Sequence, residues 1–531
     1  MTTCFNSVLS HLAQCQHHDL FSGIRRGIEK ENLRVTADGQ LSQLNHPQAW
    51  GSALTNPFIT TDFSEALPEL ITPPMQGLDT LEHWLTQLNA FVVKHLPHGE
   101  ILWPGSMPPL IAQEQMIRLA EYGKSNVGQM KHVYRLGLSY RYGRMMQAIA
   151  GIHYNVSFPD GLFECLQAFE KNTDDLVTYR SKKYMQLVRN FFRRYWLVPY
   201  LFGASPVCMA SSIPGEWPSF LQEHTLQEAF GARATSLRMS ELGYQNNAQA
   251  GLAINYDSVQ AYAQGLLKAT DTSYPDFQHI GIEVDGVFRQ LSDGLLQIEN
   301  EYYSPIRPKQ PTQSGEMPAI ALCKRGVEYI EVRALDLNFF VPNGIDRDTM
   351  AFIDIFLLSC MLMPCQEMGA GECVEARENC KRVVEQGRDP DLMLSHHGQP
   401  RAFREWANTF FVHCMREVAE VIDASLPNAL YVDVVERISR RLDNPDATPS
   451  GALLAAMTKS GHDYASYMQH LGQQHAATLS QIKVDPDIAA QLSQAVDQSL
   501  QDFAEQQTRQ EPPFAEFLAE YFTQKKQPCC V

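Results

Sequence analysis

GIEKENLRV, Gly27 to Val35, sets Glu29 and Glu31 two residues apart, with Ile28 between the glycine and the first carboxylate and Leu33 beyond the second. Extended backbone turns successive side chains to opposite faces, so a strand here points both carboxylates the same way. Lys30 separates them and Arg34 follows. Two like charges side by side repel, and they ionise together only with positive charge between them. A hard divalent cation meets that need.

Four further segments repeat the pattern of apolar residues on one face and ionisable or amide residues on the other. TTDFSEALPEL carries Asp62, Glu65 and Glu69. GIHYNVS places His153, Asn155 and Ser157 on one face, and LQIENEYY aligns Gln297, Glu299, Glu301 and Tyr303. YIEVRALD aligns Glu331 and Arg333. Any one of these reads as the solvated face of an antiparallel sheet. Together they are carboxylates with a His, an Asn, a Gln and an Arg, and almost no Lys. That inventory suits oxygen-loving magnesium or manganese. Several carboxylates with Arg333 are equipment for phosphoryl transfer, and equally for a two-metal hydrolase.

The chain has 531 residues, 44% hydrophobic and 19% charged, an ordinary soluble balance with room for a large core. A net charge of −17 argues against non-specific binding to nucleic acid or acidic membrane. The 12 cysteines form no CxxC and sit at no zinc-finger spacing, which suggests reduced thiols in the cytoplasm. Cys529 and Cys530 read as an exposed tail. The first residues lack the basic start and apolar run of a signal peptide, and no apolar stretch is long enough to span a membrane.

Along the chain, residues 1–22 read as a short helix and 24–72 as strand-rich, with ADGQL as a turn. Leu78, Leu81, Leu85, Leu88 and Val92 give residues 77–97 the stripe of an amphipathic helix. Residues 110–150 read as a long polar and aromatic helical stretch, and 175–200 as a helix rich in Arg and Tyr. On that helix Arg189, Arg193 and Arg194 read as a solvated face. GIEVDGVFRQL has the DG turn of a hairpin, and LQIENEYYSPIRP and GVEYIEVRALDL read as strands. Residues 346–525 are mainly helical in character, and 526–531 are a tail. Strands first and helices last predict an α+β fold with an antiparallel or mixed sheet in one catalytic domain spanning 1–531. No Rossmann glycine pattern or P-loop is present.

GIEKENLRV, FITTDFSEALPELITP, LWPGSMP, GIHYNVSFP, YLFGASP, ATSLRMSELGY, LQIENEYYSPIRP and EYIEVRALDLN, in that order over residues 20–345, resemble the proteobacterial glutamate–cysteine ligases. The resemblance implies a glutamine-synthetase-like fold, a curved, largely antiparallel sheet forming an active-site funnel with helices outside. It implies that Glu29, Glu31, Asp62, Glu69, His153 and Glu331 serve magnesium ions (manganese as a substitute) and nucleotide phosphates. His153, Asn155 and Arg333 would contact the nucleotide, with Arg333 facing the transferred phosphoryl group beside Glu331. Arg238 resembles a substrate-carboxylate clamp, and Tyr134, Tyr244 and Tyr303 resemble the wall of a cysteine pocket. The implied reaction joins the γ-carboxylate of L-glutamate to the amine of L-cysteine through a γ-glutamyl phosphate, with ATP as co-substrate. No nucleic-acid or membrane partner is implied, and a monomer is expected.

Overall fold

The computed structural model describes residues 2–15, 19–213, 215–243, 247–426, 428 and 430–526. Tyr244 and the Cys529–Cys530 tail therefore lie outside the described residues. A seven-stranded antiparallel sheet organises the first two thirds of the chain. Its strands are β1 (Arg25–Glu31), β2 (Ile59–Thr61), β3 (Pro68–Ile71), β4 (Met75–Gln76), β5 (Ile152–Ser157), β6 (Ile306–Lys309) and β7 (Tyr329–Leu335). They run in the order β6-β7-β5-β1-β3-β2, with β4 also paired to β1. Neighbours in the sheet are drawn from far apart in sequence, so its polar face is assembled rather than local.

Register sorts the two faces. One row is Ile306, Val332, Tyr154 and Ile28, all fully buried. That face packs inward, roofed by α2 (Leu78–Lys94) and α5 (Arg347–Leu362), the second buried from Thr349 to Leu362. The buried ion pair of Arg26 with Asp354, at 2.8 Å, crosses between the sheet and α5, and the hydroxyl of Tyr154 donates to the same carboxylate at 3.1 Å. On the other face Arg307 stands opposite Glu331, Glu331 opposite Asn155, Glu29 opposite His153, and Glu31 opposite Glu69. In β1, β5 and β7 the alternation expected from sequence is thus the alternation of the sheet.

The remaining helices named below are α1 (Thr2–Gln14), α3 (Asn126–Tyr142), α4 (Leu176–Phe192), α6 (Pro486–Thr508) and α7 (Phe514–Thr523). The last third is helical as expected, broken by one hairpin, Met393–His396 with Gln399–Ala402. The DG hairpin forms at Val284 and Val287, with Asp285 and Gly286 at φ 53 and 77, the left-handed pair that a tight hairpin turn requires. Among the described residues no helix is long and apolar enough to cross a membrane.

Four expectations are corrected. The helical stretch at 110–150 is shorter: α3 starts only where Ser125 caps it, accepting from Gly128 N, and stops at Gly143, whose φ of 76 a helix cannot continue. Residues 297–303 are not a strand. Leu291 N donates to Gln297 Oε1 and Gln297 N to Glu301 Oε2, so side chains satisfy the backbone and Glu299–Glu301 form a 3-10 turn. Arg189, Arg193 and Arg194 are not a solvated face. Arg189 donates to the carbonyls of Tyr256 and Asp257, Arg193 forks onto Glu372 at 2.6 and 2.8 Å, and Arg194 covers the Phe410 ring. Finally, Cys15 and Cys165 are joined as a disulfide rather than left as thiols, their Cα atoms 6.6 Å apart where the end of α1 meets the helix Asp160–Glu170.

Candidate active site

The polar face of the sheet floors a cleft of about 660 Å³. Glu29, Glu31, Asp62, Glu69, His153, Arg238, Tyr134, Tyr303, Glu331 and Arg333 all line it. Of the residues singled out from sequence, Asn155 lies just beneath, donating from Nδ2 to Glu29 Oε1 at 2.9 Å. Glu65 and Glu299 do other work, and Glu301, though it lines the cleft, is engaged by its own neighbours. Glu65 accepts from His46 N and Glu121 N, Glu299 accepts from Ala319 N, and Glu301 holds Arg141 at 2.9 Å and the Tyr142 hydroxyl at 2.6 Å. Asp62 reaches the cleft from the turn between β2 and β3, not from a strand.

At the centre stands the His153 ring. Its Nδ1 is 3.0 Å from Glu29 and 3.6 Å from Glu331, and its Nε2 is 3.6 Å from Glu31. Glu29, Glu69 and His153 present ligand atoms within 4.8 Å of one another. The carboxylates divide by environment. For Glu331, burial opposes ionisation, but Lys309, Arg333 and Arg307 hold it well below the usual carboxylate range. Burial also opposes ionisation of Glu29, and the hydrogen bond with His153 leaves it low. Glu69 is pushed well up by burial and then by the charges of Glu29, Asp62 and Glu31. Glu31 is raised by burial, with Asp62 adding to it.

Cations rim this floor. Arg333 donates to Glu331 Oε1 at 2.8 Å, and Lys309 Nζ stands 3.3 Å from Oε2. Arg238, buried at 2% exposure, donates to the carbonyl of Arg333 at 3.0 Å, so the two arginines are tied together. The Arg238 backbone is set by Ser205, whose hydroxyl and that of Ser236 donate to buried Asp336 at 2.6 and 2.8 Å. Arg307 and Lys309 alternate on β6, and Lys131 and Arg135 line the cleft from α3, both guanidinium and ammonium lying over the Tyr122 ring. Sequence reading missed these four. Their signal was present: Arg307 and Lys309 are two apart in IRPK, and Val127, Met130, Lys131, Tyr134, Arg135 and Leu138 follow helical spacing.

The donor set fits a hard divalent cation. It is oxygen with one imidazole, Asn155 Oδ1 is buried without a hydrogen-bond partner among the described residues, and the repulsion that adds to burial in raising Glu69 is what such a charge relieves. An acidic floor bounded by arginine and lysine is the equipment of a phosphoryl-transfer enzyme or a two-metal hydrolase. The glutamate–cysteine ligase family model matches residues 9–383. A glutamate–cysteine ligase of Alcanivorax borkumensis is 42% identical over 511 residues, covering 94% of this chain and 96% of its own. One of Pseudomonas paraeruginosa is 42% identical over 525 residues, 98% of each chain. The crystal structure of glutamate–cysteine ligase from Francisella tularensis in complex with AMP superposes with a TM-score of 0.89 at 38% identity, covering 95% of this chain and 98% of that one. A bifunctional glutathione synthetase from Pasteurella multocida shares the fold at a TM-score of 0.69 and 24% identity, over 90% of this chain and 54% of its own. The chain belongs to the glutamate–cysteine ligase family.

Proposed function

We infer that the cleft is where ATP, L-glutamate and L-cysteine meet. The chain carries out ATP-dependent formation of γ-glutamylcysteine, the first step of glutathione synthesis. The observation that most supports our assignment of parts is the junction at Glu331, where the acidic floor meets Arg333 and Lys309. We propose that Glu29, Glu31, Asp62, Glu69, His153 and Glu331 hold magnesium, with manganese as a substitute. Such ions, when bound, neutralise phosphate oxygens.

Each residue then has a task. Arg238 clamps a carboxylate of glutamate in a buried, planar fork. The γ-carboxylate attacks the terminal phosphorus of ATP, the bond to ADP breaks, and an acyl phosphate forms. Arg333, beside Lys309, meets the charge on the transferring group. Asn155 and His153 fix Glu29 by hydrogen bonds at 2.9 and 3.0 Å. The amine of cysteine attacks the acyl carbon, phosphate leaves, and a proton is lost from nitrogen. Tyr134 and Tyr303 wall the amine substrate. The Tyr303 hydroxyl is held by Gln147 Nε2 at 3.1 Å. We further propose that the sheet curves into a glutamine-synthetase-like funnel within one catalytic domain, and that the enzyme works as a monomer.

Glu29→Gln and Glu31→Gln test the floor. Each keeps size and removes charge, and each lowers turnover about 100-fold or more, with circular dichroism unchanged. ADP release that requires both amino acids identifies a ligase. ADP release without an acceptor identifies a hydrolase and overturns the reading, as does near-normal turnover of both variants at low magnesium.

A further inference from the structure

Beyond residue 383, outside the stretch that the family model matches, the chain returns to the cleft. Helix α7 brings Phe517 and Tyr521, four residues apart and so on one face, to its lining. The helix is strapped down at both ends. Asn126 N donates to Glu511 Oε2 at 2.5 Å and Asn126 Nδ2 to the carbonyl of Pro512 at 2.9 Å. Beyond the helix, Gln524 Nε2 donates to Gly315 O at 2.8 Å, Met317 N donates to Gln524 Oε1 at 3.1 Å, and Lys525 pairs with Asp271 at 2.7 Å. Between these anchors Leu518 is buried with Val133, Leu291 and Ile298. The Phe517 and Tyr521 rings are only partly buried, and the Tyr521 hydroxyl has no hydrogen-bond partner among the described residues. The strap thus holds two rings against an open cleft.

We propose that Phe517 and Tyr521 form the wall on which the purine base of the nucleotide stacks. The proposal rests on the ligase reading above. One continuous piece of chain joins the two ends of the nucleotide: Lys309, at the close of β6, belongs to the phosphate end, and Thr312, Gln313, Ser314 and Gly315 follow along the cleft toward Pro318 and α7. Gln524 ties this loop to the strap at Gly315. The lining of the cleft includes Ile298, Pro318, Phe517 and Tyr521 together with Glu316, so a base extended along the loop from phosphates at Lys309 and Arg333 has aromatic faces to meet. Stacking on such faces is strong and needs no hydrogen-bond match.

The test is Phe517→Ala and Tyr521→Ala in the full chain, with KM measured for ATP, glutamate and cysteine. The KM for ATP rises roughly 5- to 100-fold, as loss of a stacking ring predicts, while those for the amino acids move less than about twofold. Inhibition by inorganic triphosphate, which has no base, is unchanged. A rise confined to cysteine assigns the wall to the amine substrate and overturns the proposal, as does an equal rise for all three. Photolabelling of the unaltered enzyme with 8-azido-ATP keeps the question answerable if the variants misfold. Label in residues 312–318 or 510–526 supports the wall, and label confined elsewhere overturns it. Failure of the unaltered enzyme to make γ-glutamylcysteine would instead overturn the ligase reading, independently of where the label falls.

Discussion

Gly151 lies between two residues of the site. Its N–H donates to Glu31 Oε2 at 2.8 Å, and a Cβ on it would collide with the guanidinium of Arg238. Gly151→Ala should therefore displace Arg238 and raise the KM for glutamate at least about tenfold. Gly27→Ala, on the same sheet face but with no neighbour nearer than 3.8 Å to the added carbon, should stay within about twofold. Steady-state kinetics of the pair decide whether the requirement for a bare Cα is local. His46 offers a second test, of stability. Burial, with Arg34 adding to it, pushes its ring down to about 3, so the folded state holds it neutral. Below the ordinary value near 6.5 the unfolded chain takes a proton that the folded chain refuses. Stability from this residue is complete above about pH 6.5 and is lost as pH falls toward 3. Denaturant midpoints between pH 7 and 4 should fall less steeply in His46→Leu than in the parent. At this scale Glu29 and Glu31 were legible because period-two spacing is local. The collision at Gly151 was not, because it depends on Arg238, distant in sequence.

Elements were legible where periodicity was long and uninterrupted. The leucine stripe of α2 and the alternation of β1, β5 and β7 are of that kind. They failed where side chains take over the backbone's hydrogen bonds, as Gln297 and Glu301 do around the turn that resembled a strand. Helix α3 shows the same competition at its start. Ser125 caps it and Glu511, from the strap, accepts from the next N–H. Ser125→Ala leaves Gly128 N without its partner and should lower the unfolding free energy by about 1 kcal/mol, while Ser125→Thr should recover most of it. Chemical denaturation of the three proteins measures this. No sequence signal announced that Glu511 would reach α3, because helix-end partners far apart in the chain leave no periodic trace.

The whole molecule is acidic by sequence, yet its cleft gathers Arg135, Arg238, Arg307, Arg333, Lys131 and Lys309, so net charge, a property of the sum, did not reveal a basic rim within it. The Cys15–Cys165 bridge spans 150 residues and was invisible for a similar reason: pairing is a property of the folded chain. Closing a loop of that length removes unfolded-state entropy worth roughly 5 kcal/mol in the chain-entropy model. Cys15→Ser and Cys165→Ser should each lower the denaturation midpoint, and the double variant should fall no further than either. Additive losses would show that the two sulfurs are not bonded in solution. A last consequence belongs to β1, whose Glu29 and Glu31 face the cleft while Lys30, on the opposite face, donates to Asn89 and to the carbonyl of Pro342. Should the strand dock one residue out of step during assembly, both carboxylates would enter the apolar layer and the ammonium would land among the acids. The wrong alignment strands two carboxylates in the apolar layer at once, so the same alternation that equips the cleft also proofreads how the sheet is put together.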